Sequence, residues 1–276
     1  AFVPCPYIML EMKPVSLGED FGRANTSIKR KDTVHYLTET ERGPFLVVVA
    51  DNLLIHKNSA KIIGSEKKSM LVISEDMAIF IAGATLVDNH SAFVGGRRVI
   101  FAGEVSVDQG RLNLISDRSG HYAPGLIHTH QAILFFQAMG VDLSATMVKV
   151  ESPLGGIELR SLTMPVAEFN ELYEASPGFN EGDFLKAYFL KSLESDAVDV
   201  TFRGKLALEL LTAHKVLITS SSQAILDYQT ALGPDNKITM GLRYFIEGRG
   251  KDVKGLSELF ERLKAIQIEA RRVKGH

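Results

Sequence analysis

The sequence predicts an α+β protein with a β-rich N-terminal half that contains hairpins and a helix-rich C-terminal half. Short runs of Val, Ile, Leu and Phe between turn residues dominate up to about residue 118, and they indicate strands. After Pro124 the apolar residues lie in longer segments bounded by Pro and Gly, which indicates helices. Because strands come first and helices second, the order favours α+β over a regular βαβ repeat.

The N-terminal half divides into three β segments. Residues 44–56, "PFLVVVADNLLIH", predict a buried strand with a turn at Asp51-Asn52. Residues 70–83 contain two apolar runs around Ser-Glu-Asp, which predicts a hairpin. Residues 97–116 predict a clearer hairpin, since Gly110 supplies the positive φ that a tight connection needs.

The next segment, residues 124–140, has Pro near its start and Gly at its end, the asymmetry expected of a helix. Two more strands are predicted in 145–151 and 156–164. Further helices are predicted at 165–175, 181–194, 204–217, 221–232 and 255–274.

These segments suggest three parts. Residues 1–43 include a polar, charged stretch and are expected to form an arm or loop. Residues 44–178 form the expected α+β module, and residues 179–276 form a mainly helical subdomain. A Pro- and Gly-containing stretch at 176–182 marks the boundary.

Composition limits the classes of function. With 276 residues, 45% hydrophobic content and a net charge of −2, the chain can bury a large core and carries no overall field that favours nucleic acid. No apolar run approaches the roughly 18–20 residues that span a bilayer. The single cysteine, Cys5, fits a reducing compartment, so we expect a cytoplasmic protein, with delivery into a host cell as a second possibility. The start "AFVPCPYIML" lacks a secretory signal and is expected to belong to a processed chain or a fragment.

Polar residues that could carry chemistry flank the 97–116 hairpin. His90 and Ser91 precede it, His121 and Tyr122 follow it, and Glu104 lies within an apolar strand. His transfers protons near neutral pH, Ser binds or attacks, and Glu orients a hydroxyl or stabilises a cation, so these five are the candidate catalytic residues. The corner leads into a helix start, where free backbone N–H groups favour an anion. The candidate ligand-binding residues are therefore Arg118, Ser119 and Gly120.

Simpler interpretations exist for the same residues. Glu104 suits the outer face of a strand, and the Ser-Gly-His-Tyr corner suits an ordinary turn in which a Cβ at Gly120 would strain the backbone. His128 and His130 would point about 200° apart on a helix, so no metal site is expected there. The sequence contains no P-loop, paired Cys-x-x-Cys, His-Glu-x-x-His or Gly-x-Ser-x-Gly pattern.

The C-terminal stretch predicts an amphipathic helix in a segment with an excess of basic residues. Residues 241–276 hold nine Lys or Arg and five Asp or Glu. Such a helix either packs its apolar stripe on its own domain, which we expect, or lies in the groove of an acidic partner such as calmodulin.

Three short blocks follow one another in the sequence: His90-Ser91-Ala92-Phe93, Ala102-Gly103-Glu104, and Ser119 to Pro124. With these blocks, residues 70–145 resemble a module of the plant IQ-motif-containing calmodulin-binding family. Uncharacterised bacterial effector-like proteins have a similar module. The sequence departs from the plant pattern at Ala92 and Ala123. The plant calmodulin-binding motif precedes the module, whereas here a degraded match, Ile266-Gln267-x-x-x-Arg271, follows it.

Two functions remain open, and so does the question of whether the protein is an enzyme. The first is an effector-type or signalling protein with a polar ligand pocket, for group transfer or hydrolysis on a nucleotide-like or phosphorylated ligand. An ADP-ribosyltransferase-like reaction, with NAD, is its concrete form. The alternative is a non-enzymatic module that binds a host or regulatory protein such as calmodulin.

Overall fold

The computed structural model describes residues 7–13, 35–64, 66–83, 85–154, 159–214, 216 and 218–232. The predicted helix 255–274 and most of the predicted arm 1–43 lie outside this part of the chain. Contacts divide the chain into two compact units, Ala1–Pro153 with Ser161–Glu174 and Leu154–Arg160 with Ala175–His276. The boundaries predicted from composition stay a prediction.

The first unit contains an eight-stranded sheet in the order β2-β1-β4-β3-β5-β6-β7-β8. Neighbouring strands are antiparallel except for β6 and β7, which are parallel. The strands are β1 Leu46–Ala50, β2 Leu53–His56, β3 Glu66–Ser74, β4 Ile79–Gly83, β5 Val99–Asp108, β6 Arg111–Ser116, β7 Met147–Val150 and β8 Leu162–Pro165.

Two tight turns confirm the predicted connections. Asp51 and Asn52, with φ of 51° and 64°, join β1 to β2, and Gln109 and Gly110, with φ of 48° and 74°, join β5 to β6. Two-residue loops with both φ values positive match the right-handed twist of the strands that they connect.

The sheet also curls towards its first edge. The N–H of Leu54 donates to the carbonyl of Gly110 at 2.8 Å, and the N–H of Gly110 donates to the carbonyl of Ile63 at 2.8 Å. The turn between β5 and β6 therefore meets β2 and the residues after it, which leaves less open edge for unwanted strand pairing.

Among the described residues of this unit, the α-helices are α1 Glu39–Arg42, α2 Leu126–Ala138 and α3 Val166–Glu174. Thr38 and Glu41 form a capping box at the start of α1. Helix α2 links β6 to β7. These two strands are parallel, so the chain must cross from one end of the sheet to the other between them, and α2 forms this crossover. The fold is thus α+β, as predicted, with a single βαβ unit inserted in an otherwise antiparallel sheet.

The second unit contains helices α4 Glu181–Leu193, α5 Val200–His214 and α6 Thr219–Leu232. Asn180 caps α4 by accepting from the N–H of Gly182 at 2.7 Å. Helices α5 and α6 approach closely at Gly204, where a Cβ would lie 2.0 Å from Cβ of Tyr228. Within the described residues, no helix is both long enough and apolar enough to cross a bilayer.

Candidate functional site

The His-Ser-Ala-Phe block forms a short 3-10 helix, His90–Phe93, whose four residues are all buried. Phe93 fixes it on the sheet: its ring stacks on Phe80 at 5.7 Å and meets the edge of Phe45 at 5.9 Å between centroids. These apolar contacts place the two polar residues of the block beside β5.

Both ring nitrogens of His90 have partners within the protein. Nε2 lies 2.8 Å from the carbonyl oxygen of Gly103, and Nδ1 lies 3.3 Å from Oγ of Ser119. A carbonyl can only accept, so Nε2 carries the hydrogen and the hydroxyl of Ser119 donates to Nδ1. Burial lowers the pKa of His90 below its ordinary value of 6.5. The imidazole is therefore a neutral link between β5 and the Ser-Gly-His-Tyr corner.

Ser91 and His121 form a second link between the same two blocks. Oγ of Ser91 lies 3.1 Å from Nδ1 of His121. Ser91 is fully buried, whereas His121 is only partly buried. The ring of His121 is consequently the part of this pair that solvent can reach.

Gly103 is required by the neighbouring strand. A Cβ at this position would lie 2.1 Å from the carbonyl oxygen of Ser116 and 2.7 Å from the ring of Phe101. The Ala-Gly-Glu block thus serves a close approach of β5 to β6, in addition to its hydrogen bond with His90.

Glu104 faces two cations at the side of the sheet. Its Oε1 lies 3.1 Å from Nζ of Lys68 and 3.8 Å from Nε of Arg118, and its side chain is 20% exposed. Both cations are about half exposed. The carboxylate therefore joins β5 to β3 and to the residue that was predicted to bind a ligand, Arg118.

Tyr122 lies in the core rather than beside the polar cluster. It is fully buried, and its hydroxyl donates to the carbonyl oxygen of Arg97 at 2.7 Å. Burial raises its pKa to about 12. These are the contacts of a packing residue, and the predicted catalytic role of Tyr122 stays a prediction.

The expectation of a strained Gly120 is wrong. This glycine is exposed, its φ is not positive, and a Cβ would meet no atom within 4 Å. The positive φ in this corner belongs to Ala123, at 43°. Ser119 is 7% exposed, because its side chain points to His90.

The other two histidines of the region have separate roles. The Nδ1 of His128 accepts from the N–H of Gly125 at 3.2 Å and caps α2, while the ring of His130 stacks on Tyr173 at 4.1 Å. Burial lowers the pKa of both histidines. Across the described ranges, no three side chains of His, Cys, Asp and Glu gather in a way that could hold a metal ion.

Sequence reasoning missed Asp117. This buried carboxylate accepts from the N–H groups of Glu151 at 2.8 Å and Ser152 at 2.9 Å, so it ties the end of β6 to the residues after β7. Burial raises its pKa to about 6. Its position directly after an apolar strand is the sequence signal that could have identified it.

An open depression lies at the far end of α2. It is lined by Gln137, Val141 and Asn170 among others, and no predicted site residue lines it.

Fold and site together define a class: an α+β module in which three separated polar blocks are joined by side-chain hydrogen bonds. Residues 41–127 match the model of the IQ motif-containing protein middle domain. The predicted resemblance to the plant IQ-motif family is thereby confirmed, with the match beginning earlier than residue 70 and ending before residue 145.

Curated relatives from Arabidopsis thaliana give the same result. The chain is 30% identical to IQ domain-containing protein IQM4 over 121 residues, which cover 43% of the chain and 23% of that protein. It is 31% identical to IQ domain-containing protein IQM1 over 121 residues, 43% of the chain and 25% of that protein. For IQ domain-containing protein IQM2 the identity is 28% over 141 residues, 49% of the chain and 23% of that protein. The chain thus spans about a quarter of the length of these relatives, and no solved structure matches it.

Proposed function

We propose that this chain is a protein-binding module that acts without chemistry and engages a regulatory protein. One observation carries the proposal: the polar groups of the three motif blocks have their hydrogen-bond and ion-pair partners within the protein. His90 uses both ring nitrogens internally, and Tyr122 uses its hydroxyl internally. Satisfied buried polar groups of this kind rigidify the module and fix the shape of its surface.

The likeness to proteins whose names contain the IQ domain supports a protein partner, with calmodulin as the first to test. The degraded match at Ile266-Gln267-x-x-x-Arg271 lies outside the described residues. Binding through the module and binding through this C-terminal segment are therefore separate hypotheses, and a variant must distinguish them.

Titration calorimetry of the full chain with calmodulin, with and without calcium, tests this proposal. We expect no sub-micromolar binding through the C-terminal segment, so an Ile266→Glu variant should behave like the wild type. A sub-micromolar affinity that Ile266→Glu abolishes would assign calmodulin to the C-terminal segment and remove it from the module. An affinity that survives Ile266→Glu would make calmodulin the partner of the module.

A second function is favoured by the pair of Ser91 and His121. Their 3.1 Å hydrogen bond is the geometry in which His121 could take a proton from the hydroxyl of Ser91. The exposed Arg118 and Gly120 lie in the same corner, where a nucleotide-like or phosphorylated ligand would approach. The full burial of Ser91 weighs against this function, because a substrate must reach Oγ. The effector role and the ADP-ribosyltransferase-like reaction stay predictions of this second hypothesis.

Incubation with a nucleotide panel that includes NAD separates the two functions. The protein-binding proposal predicts no turnover of any member. Turnover that is lost in both His121→Ala and Ser91→Ala, with the thermal transition retained, would overturn it. Turnover retained in both variants would indicate a contaminating enzyme. Gly64→Ala is the control for general effects of substitution, since a Cβ there meets no atom within 4 Å and Gly64 lies outside this corner.

A further inference from the structure

The described N-terminal residues, Tyr7–Lys13, form a strap across the first unit. The N–H and the carbonyl of Leu10 both pair with Val99, at 2.8 and 3.0 Å. The N–H of Lys13 donates to the carbonyl of His121 at 2.8 Å. The strap thus runs from the first residue of β5 to the Ser-Gly-His-Tyr corner.

Helix α2 holds the other end of the strap through Gln131 and through Phe135, whose ring lies edge-on to that of Tyr7 at 6.3 Å between centroids. The N–H of Ile8 donates to Oε1 of Gln131 at 2.7 Å, and its carbonyl accepts from Nε2 of Gln131 at 3.1 Å. Together with the contacts of Leu10 and Lys13, all of these hydrogen bonds involve the backbone of the strap. Such bonds accept an extended segment of almost any sequence, as in the addition of a peptide strand to a sheet edge.

Apolar side chains of the strap supply the selectivity, and Leu10 is the most deeply buried of them. Leu10 is 6% exposed and belongs to the core cluster with Val99 and Tyr122. Met12 is partly buried against the same cluster, whereas Ile8 is 50% exposed. Burial of one leucine side chain contributes about 1.5–3 kcal/mol, which is enough to anchor a short segment but not to make it permanent. The recognised chemistry is therefore an extended backbone with one buried leucine-sized side chain and a second, partly buried apolar side chain two residues later.

The site exists because β6 pairs with only part of β5. Their register runs from Glu104 to Asp108 on β5, so the edge of Val99 receives no partner from β6. The strap supplies that partner. The family match covers residues 41–127, which leaves both the strap and Gln131 outside the matched residues.

We propose that Val99, His121 and Gln131 form a docking groove for an extended segment of a partner protein, and that the strap occupies this groove in cis. The proposal rests on the protein-binding function and names its surface and its ligand chemistry. A partner segment that places a leucine-sized side chain in the position of Leu10 displaces the strap, so that binding is controlled by strap release.

The test uses a fluorescent peptide with the strap sequence, YIMLEMK, titrated by anisotropy into the full chain. The Leu10→Asp variant should release its own strap, because a buried carboxylate without a partner is costly. We expect this variant to bind the peptide at least tenfold more tightly than the wild type, since a tethered strap competes at about millimolar effective concentration.

Two controls define specificity. A peptide carrying Asp in place of leucine should not bind, and Gln131→Ala added to Leu10→Asp should weaken binding about fivefold. A Leu10→Asp variant that keeps its thermal transition and does not bind the peptide would overturn the proposal. Equal binding of both peptides would do the same.

A measurement on the wild type covers the case in which Leu10→Asp unfolds. Amide hydrogen exchange should be at least a hundredfold faster at Leu10 and Lys13 than at Val105, if the strap opens without the sheet. Equal protection would make the strap an integral strand and overturn the groove. A protein partner that binds wild type and Leu10→Asp equally would retain the protein-binding function while rejecting this site for it.

Discussion

The two halves of β5 are completed by different parts of the chain. From Glu104 to Asp108 the strand pairs with β6 through a two-residue turn. In the first half, from Val99 to Gly103, Val99 pairs with Leu10, and the carbonyl of Gly103 accepts from the ring of His90. On one edge β3 pairs with both halves. On the other edge, the second half depends on a local hairpin, whereas the first half depends on a side chain and a distant segment. The motif blocks lie where the local pairing stops.

Gly103→Ala should have the largest effect, because Gly103 lies at the border between the halves. The new Cβ would meet the carbonyl oxygen of Ser116 at 2.1 Å, so β5 and β6 must separate. We expect the free energy of unfolding to fall by about 3 kcal/mol, measured by urea denaturation.

Gly120→Ala is the matched control for this loss. A Cβ at Gly120 meets no atom within 4 Å, so a change within about 0.5 kcal/mol is expected. If Gly103→Ala proved as mild as Gly120→Ala, the close approach of the strands would be wrong.

His90→Ala should affect the first half of β5 next most strongly. It leaves the carbonyl of Gly103 and the hydroxyl of Ser119 without their partner, which costs about 2 kcal/mol near pH 7.5. The folded pKa of His90 lies below 6.5, so below that pH the unfolded state binds more protons and the wild type loses stability. Urea denaturation at pH 7.5 and 5.5 should show the difference between wild type and variant shrinking at the lower pH. A difference that grows on acidification contradicts a buried neutral ring.

Apart from the control variants, Gly110→Ala should have the smallest effect, confined to the hairpin half. Its φ of 74° is strained for alanine, and the Cβ would approach Ile62 and Leu53 at 3.0 Å. A loss of about 1 kcal/mol is expected. Gly95→Ala is the control, since Gly95 has a similar φ of 64° but no atom within 4 Å, and it should lose less. If Gly110→Ala and Gly95→Ala lost the same free energy of unfolding, the loss would come entirely from the positive φ and not from the contacts with Ile62 and Leu53.

The same contrast explains what the sequence could predict. The hairpins and their turns at Asp51-Asn52 and Gly110 depend on neighbouring residues, so local patterns revealed them. The required glycine of the motifs proved to be Gly103 and not Gly120, because the requirement comes from the carbonyl of Ser116 on the next strand. No local pattern contains that information.

Parts of the site were predictable for a related reason. The candidate residues His90, Ser91, Ser119 and His121 were selected as polar groups around one hairpin, and the structure joins them in pairs by hydrogen bonds. The core position of Tyr122, the clamp of Asp117 and the strap were not predicted. Each depends on a contact between residues far apart in the sequence, which residue type alone does not specify.

The tautomer and titration of His90, measured by nitrogen-15 NMR of the full chain, test the central claim that the motif blocks form one internal network. The network predicts a neutral ring with hydrogen on Nε2, an Nε2–H protected from exchange, and a pKa below the ordinary value of 6.5, because burial disfavours the charged ring. A ring that exchanges freely and titrates near 6.5 would contradict it, because both nitrogens would then be open to solvent or ligand.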